Sequence, residues 1–302
     1  MSDLVSVIIT TYRRTDELKK AVNSVCNQTY SNLEVIIVDD NIEEKYSKIV
    51  KKIILEYSSK IKIIYKKNEK NLGGALSRNV GIQISKGKYI SFLDDDDEYY
   101  PNKIEQQVRV FRDTTFKKLA LVYCYTVSID NNNNNELHTY KNDIRGKFLF
   151  NSMYDCIAAT SQWLCLKEAL LDVGCFSDVP SKQDSTVLFK LALKGYEIDR
   201  VPEILTKYYE LDIERISSGG IKNIKGEKVL RDKLRENYSK LEKKQAKLVE
   251  YNSSKRIFWL LVKNNFYKDA YKELFNMCKH NPFSLYNFKM LIFIIYNQII
   301  SI

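Results

Sequence analysis

At 302 residues, 44% hydrophobic and 28% charged, with only 4 Pro and 10 Gly, the chain is not fibrous, low-complexity or disordered, and it is long enough for one large α/β domain with an appendage. Six scattered cysteines (Cys26, Cys124, Cys156, Cys165, Cys175, Cys278) without a C-x-x-C pair, and only two histidines, His138 and His280, leave little for a disulfide scaffold, a Cys- or His-built metal centre or a Ser-His-Asp hydrolase. The net charge of +10 is confined to one end: residues 1–220 balance 31 Lys+Arg against 31 Asp+Glu, while residues 221–302 hold 17 against 7.

Leu4–Thr11 is a short β-branched run, as a buried parallel strand requires. Thr15 opens a helix to about Asn27. Leu33–Val38 is a second strand ending in Asp39-Asp40, followed by a helix over about Glu43–Ser58. Lys60–Tyr65 is a third strand, Gly74–Ser85 a helix, and Lys88–Leu93 a fourth strand ending in Asp94-Asp-Asp-Asp97. Pro101 takes a first helical position, with its helix running to about Arg112. Ala120–Val127 is a strand and Asn131–Asn135 an exposed loop tip. Alternation at this pitch predicts βαβ units and a mostly parallel sheet.

The composition shift at Ser217-Ser-Gly-Gly220 predicts a domain junction. Beyond it, Lys228–Tyr251 reads as a helix with Leu234, Leu241 and Leu248 at heptad spacing. Ile257–Val262 reads as a short apolar run and Ala270–Met277 as an amphipathic stretch. Phe283–Ile302 is apolar, but its longest clean run, Met290–Tyr296, is seven residues, against roughly 20 needed to span a bilayer. This basic end reads as a helical subdomain with its own small core or as an element at an anionic membrane interface. A nucleic-acid partner for it leaves the acidic strand ends unexplained, and none is expected. With no basic segment leading into an apolar one at the start, no signal peptide is expected, and the expected compartment is the reducing cytoplasm, peripheral to the inner face of the membrane.

Both acidic clusters end predicted strands, and in an open α/β sheet ligands bind beyond the carboxyl ends of the strands. Four adjacent carboxylates repel one another. A surface loop tolerates that, and a divalent cation relieves it, because hard oxygen ligands suit Mg²⁺ or Mn²⁺. The run offers Asp94-x-Asp96 and Asp95-x-Asp97, so the register of a D-x-D pair is open. The turn after the first strand, Thr10-Thr-Tyr-Arg-Arg14, is neither a P-loop nor a G-x-G-x-x-G dinucleotide loop. Tyr12 could stack on a base there, and Arg13 or Arg14 could meet phosphate.

Several stretches, in order over residues 4–220, resemble family-2 inverting glycosyltransferases. They are Ser6-Val-Ile-Ile-Thr-Thr-Tyr-Arg-Arg14, Ser24-Val-Cys-Asn-Gln-Thr-Tyr30, Glu34-Val-Ile-Ile-Val-Asp-Asp40, Asn71-Leu-Gly-Gly-Ala-Leu-Ser-Arg-Asn-Val-Gly81, Gly87-Lys-Tyr-Ile-Ser-Phe-Leu-Asp-Asp-Asp-Asp97, Gly174-Cys-Phe, and Gln183-Asp184 leading into Val187–Tyr196. The resemblance implies a GT-A, Rossmann-like fold over 1–220, with a nucleotide-binding half to about 115 and an acceptor half over 116–220, followed by the basic helical region 221–302. It also implies transfer of a sugar, UDP-linked by default, to a glycan or lipid-linked saccharide in bacterial surface polysaccharide assembly. The alternatives are a nucleotidyltransferase on a related sheet and a non-enzymatic nucleic-acid or membrane-binding protein that uses the basic end.

By the same resemblance Thr10, Thr11, Tyr12, Arg14, Asp39, Asp40, Arg78, Asp94 and Asp95 bind the nucleotide sugar, Asp96 holds Mn²⁺ or Mg²⁺, and Asp184 is the base. Gln183 and Trp163 fall on the acceptor side. Trp163 reads equally as a sugar platform or as core packing, and Asp184 also as a helix N-terminal acid. Arg215 and Ser217-Ser218 are candidates to order over the diphosphate. Two departures stand out: the usual V-D-D-G-S stretch reads Val38-Asp-Asp-Asn-Ile42, and the usual Glu-Asp pair reads Gln183-Asp184.

Overall fold

The structure, a computed structural model, describes residues 2–210 and 220–300. Arg215 and the expected junction residues 217–219 lie outside the described residues. The chain divides into two compact units: residues 2–149, 157–178 and 187–210 form one, and residues 150–156, 179–186 and the described chain from Gly220 onward form the other.

The first unit is built on β1 (Val5–Thr11), β2 (Leu33–Asp39), β3 (Lys62–Lys67) and β4 (Tyr89–Asp94), joined by α1 (Asp16–Cys26), α2 (Glu44–Tyr57) and α3 (Gly73–Ile84). These four strands are parallel, in the order β3-β2-β1-β4. Their side chains alternate between two cores. Val5, Val7 and Ile9 pack with Leu18, Val22, Val50 and Ile104 on one face. Ile8, Ile36 and Phe92 pack with Ile82 and Leu188 on the other. β1, β2 and β4 are covered on both faces and so are largely apolar, which is why they read as β-branched runs, whereas β3 at the edge exposes Lys62 and Lys66.

Beyond β4 the sheet continues through β9 (Leu164–Leu166), β6 (Leu119–Asp130), β10 (Glu197–Glu210) and β5 (Asp97–Tyr99). β6 and β10 are parallel, while β9 and β5 run antiparallel to their neighbours. β7 (Glu136–Tyr140) and β8 (Gly146–Lys147) are short antiparallel additions, and Asn131–Asn135 is an exposed tip. The expected helix start at Pro101 moves to Lys103, where α4 (Lys103–Asp113) begins. Asp97–Tyr99 first pairs with β10, and Pro101-Asn102 turns the chain. α6 (Lys167–Asp172) belongs to this unit; α5 (Leu149–Tyr154) falls almost wholly in the second, and α7 (Gln183–Leu193) is divided between the two at Thr186.

The second unit carries α8 (Ile221–Arg235), α9 (Lys243–Lys263), α10 (Tyr267–His280) and α11 (Leu285–Ile300). The single helix expected over 228–251 is two: α8 stops at Arg235, a short 3₁₀ turn follows at Tyr238–Lys240, and α9 runs on through Ile257–Val262. Leu234 is buried and Leu248 exposed, so the heptad spacing is not one seam. Ile224, Ile257, Phe258, Leu261, Leu274, Met277 and Ile294 share a core of their own. Among the described residues no helix is long and apolar enough to cross a membrane.

Candidate functional site

The strand order reverses beside β1, with β2 on one side and β4 on the other, which makes the carboxyl edge there a topological switch point. Register brings the strand ends together in two successive rows, with Thr10 opposite Asp94 and Thr11 opposite Asp39. Asp39 and Asp40 are both buried. Asp39 accepts hydrogen bonds from the Tyr65 hydroxyl at 2.7 Å and from the Asn41 side chain at 2.7 Å. Asp40 accepts from the backbone N–H groups of Leu72 and Gly73, at 2.8 and 2.9 Å, and from Asn68 at 2.8 Å. It thereby closes the amino end of α3, where its charge suits the helix dipole. These two carboxylates are spent on internal hydrogen bonds that fix the end of β2 and the start of α3.

Asn41, which replaces the glycine of the V-D-D-G-S pattern, ties two turns together. Its Oδ1 accepts from Arg13 N at 2.7 Å, and Arg13 has a left-handed backbone with φ 60°. That geometry turns Tyr12 outward, 41% exposed, while Thr11 is buried and donates to Arg14 O. The exposed aromatic is therefore Tyr12, and Thr11, the last residue of β1, gives its hydroxyl to the turn.

The four consecutive aspartates divide among three partners, Arg78, Arg14 and Ser161. Asp94 pairs with Arg78 of α3, whose guanidinium also lies 5.6 Å from the Phe176 ring centre. Asp95 accepts from Tyr12 N at 3.3 Å and from Arg14 at 3.0 Å, and Asp96 lies 2.8 Å from the same guanidinium. Asp97 accepts from Ser161 Oγ at 2.6 Å, and the same Oγ takes the Asp94 N–H at 3.1 Å. Asp97 is thus engaged by Ser161, while Asp94, Asp95 and Asp96 lie against guanidiniums. Burial pushes the Asp95 carboxyl up to about 7, against the pull of Arg14, and Asp96 adds to the rise. Burial opposes the Arg14 charge, yet Asp96 and Asp95 hold that guanidinium above its ordinary value.

The donor set is hard carboxylate oxygen that already draws two guanidinium cations, and by that chemistry it fits Mg²⁺ or Mn²⁺. Among the described residues no three Asp, Glu, His or Cys side chains form a cage for an ion by themselves. A set of one or two carboxylates suits an ion that shares its shell with phosphates.

Of its two expected roles, Trp163 takes core packing. It is fully buried, with its ring 6.3 Å from Phe176 and 6.4 Å from Phe92, and its indole N–H donates to Ala158 O at 3.1 Å. It packs the core and offers no face to a sugar. Ser161, two residues earlier, is the member of that stretch that touches the acidic turn. Its partners lie 64 and 67 residues away, a separation with no trace in local sequence.

Asp184 and Gln183 belong to the second unit. Asp184 stands in the first turn of α7 and accepts from Ser185 N at 2.7 Å and from Cys156 Sγ at 3.6 Å. The segment that carries it is held from α8 and α9. Glu227, almost fully buried, pairs with Lys182 at 3.0 Å and accepts both contacts from Arg256 at 3.1 and 3.2 Å. Arg256 also donates to Tyr154 O at 2.8 Å.

A twisted sheet with a parallel core, helices on both faces and an acidic turn at its switch point defines the GT-A class of nucleotide-sugar enzymes. A family model for glycosyl transferase family 2 matches residues 6–170, more than half of the chain, and the chain belongs to that family. An uncharacterized glycosyltransferase of Methanocaldococcus jannaschii is 31% identical over 211 residues, 68% of this chain and 70% of its own. One of Rickettsia prowazekii is 41% identical over 129 residues, 43% of this chain, and the match spans only 38% of that relative's length. The UDP-Glc:alpha-D-GlcNAc-diphosphoundecaprenol beta-1,3-glucosyltransferase of Escherichia coli is 40% identical over 106 residues, 35% of this chain and 40% of its own. Among solved structures, S. aureus TarS 1-349 aligns with TM-score 0.67 at 16% identity, covering 92% of this chain and 81% of that one. It has also been solved with UDP-GlcNAc. A Pyrobaculum calidifontis mannosyltransferase in complex with GDP-Man and Mn²⁺ aligns with TM-score 0.62 at 16% identity, covering 96% and 79%. At these identities the structural likeness is one of fold.

Proposed function

We propose that this chain moves a sugar from a nucleoside diphosphate sugar to a hydroxyl acceptor and inverts the anomeric centre. One observation carries the reading: at the switch point beside β1, the exposed Tyr12 ring adjoins a turn whose carboxylates hold two guanidiniums. In this reading Tyr12 stacks on the base, with Thr10 beside it, and Asp39 and Asp40 fix the walls. Arg14 and Arg78, drawn off Asp95, Asp96 and Asp94, turn toward the diphosphate. Asp96, with Asp94, holds the divalent ion. When bound, that ion offsets the charge gained by the departing diphosphate.

Asp184 takes the acceptor proton as the new bond forms, since a hydroxyl is a poor nucleophile at neutral pH. One base and direct displacement give inversion. A uridine donor is favoured by the UDP-sugars named for the Escherichia coli relative and for TarS; the mannosyltransferase neighbour uses GDP-Man. The acceptor class we propose is a glycan or lipid-linked saccharide of a bacterial surface polysaccharide, assembled on the cytoplasmic side of the membrane.

The test is release of nucleoside diphosphate from a panel of nucleotide sugars with acceptor present, for wild type and Asp184→Asn. Transfer should fall about 10²–10⁴-fold in the variant while nucleotide affinity stays within about twofold. Equal loss of both would give Asp184 a structural role instead.

A further inference from the structure

Helix α11 has two unlike faces. Tyr286, Met290, Phe293 and Ile294 turn inward onto the core of the second unit. Leu285, Phe288, Leu291, Ile292, Ile295 and Tyr296 turn outward and are 39–78% exposed. Their spacings of three and four residues put them on one stripe of the helix. A contiguous apolar stripe of this size is unusual on a surface that meets only water.

The charge around it selects what covers it. Glu273 is the last acidic residue of the chain, whereas Lys279 and Lys289 follow it. Lys289 is exposed within the outward stripe. The wider region carries the whole cationic excess, 17 Lys+Arg against 7 Asp+Glu over residues 221–302. An anionic surface complements this stripe, whereas a second copy would bring a like-charged face against it. At its flank Trp259, partly exposed, donates its indole N–H to the Tyr286 hydroxyl at 2.7 Å and lies 5.1 Å from the Phe293 ring. Amphipathic rings of this kind settle where an apolar phase meets water. At 16 residues, α11 is too short to cross a bilayer and long enough to lie along one.

We propose that α11 docks this chain on an anionic lipid surface, lying in the interface plane with its outward stripe among the headgroups and upper acyl carbons. This inference does not depend on the sugar-transfer reading, because no residue of the acidic turn enters it.

The experiment is co-sedimentation of the full chain with vesicles of phosphatidylcholine alone or mixed with phosphatidylglycerol, together with light scattering of the lipid-free protein. Wild type should bind the mixed vesicles and prefer them to the neutral ones. The triple variant Phe288→Ser, Ile292→Ser, Ile295→Ser should lose that binding about tenfold or more, with its melting temperature unchanged because all three side chains are exposed. Lys289→Gln should weaken binding about fivefold. Failure of wild type to bind the mixed vesicles, indifference to phosphatidylglycerol, or binding that survives the triple substitution would each overturn the proposal. So would a self-associated protein that the triple variant turns monomeric while neither binds lipid.

Discussion

Asp94, Asp95, Asp96 and Asp97 are chemically identical and adjacent, yet the fold assigns each a different environment. Sequence alone does not separate the four, because their partners are remote in the chain: Arg78, Arg14 and Ser161. Asp96→Ala should weaken nucleotide binding in the presence of Mn²⁺ and leave binding in EDTA nearly unchanged, as calorimetric titration would register. An unaltered Mn²⁺ dependence would shift the ligand to Asp94 or Asp95. Beneath this turn lies a residue that no local pattern announces. Lys103 is fully buried, donates to Ser91 Oγ at 3.1 Å and Gln107 Oε1 at 2.9 Å, and lies 4.0 Å from the Tyr99 ring centre. Ser91 is on β4, so this lysine braces the strand that presents the aspartates. Burial pulls its ammonium down to about 8 from the usual 10.5. Between those values the unfolded chain binds the extra proton, so this site's contribution to stability rises with pH. Relative to Lys103→Met, wild type should gain about 1.4 kcal/mol per pH unit across that window in urea unfolding. A gap that does not change with pH would mean that the lysine keeps its ordinary affinity for protons.

Elements differ in how much of themselves the sequence carries. β1, β2 and β4 are buried on both faces, so their apolar runs are visible and their ends fall within a residue or two of expectation. β5 and β9 are three residues each, too short for any periodicity, and exist because a neighbouring strand supplies the ladder. The break between α8 and α9 contains neither Pro nor Gly, so composition could not show it. Packing of α8 explains a glycine that sequence leaves unremarked. A Cβ on Gly226 would lie 2.0 Å from Ser181 Oγ and 2.9 Å from Ser181 N, both on the segment that carries Asp184. Gly226→Ala should cost about 1–3 kcal/mol in thermal unfolding. If Asp184 is the base, kcat should fall more than KM rises, because the segment shifts while the nucleotide residues stay. Glu227→Leu attacks the same joint chemically, leaving Lys182 and Arg256 without their shared carboxylate. Loss of a buried partner of this kind costs about 3–5 kcal/mol. A melting temperature close to wild type in both variants would show that the 179–186 segment is held by other contacts.

Across the whole molecule, sign of charge and kind of chemistry are divided. The balanced unit gathers its aspartates at the carboxyl edge of a parallel sheet, and the helical unit carries the cationic excess. Composition alone shows that division, since it needs only counting. The pairing of aspartates with arginines does not show, since it needs the register of β1 with β2 and β4. That pairing sets up a test on the intact chain. Arg14 and Arg78 pair with three of the four aspartates of the acidic turn. A nucleotide sugar and a divalent ion should therefore bind together: the ion takes over the carboxylates, and the released guanidiniums meet the diphosphate. Either ligand alone faces a competitor already in place. Ligand at about 100 times its Kd stabilises a native state by about 2.7 kcal/mol, which for a unit of this size is a rise of about 5–10 °C. Thermal unfolding with the matching nucleotide sugar plus Mn²⁺ should show that rise, and it should exceed the sum of the shifts from donor in EDTA and from Mn²⁺ alone. With Arg14→Met the excess should shrink, because the competitor that couples the two ligands is gone. Shifts that simply add in wild type would mean that the arginines stay on their aspartates when donor binds, and that the diphosphate is met by other groups.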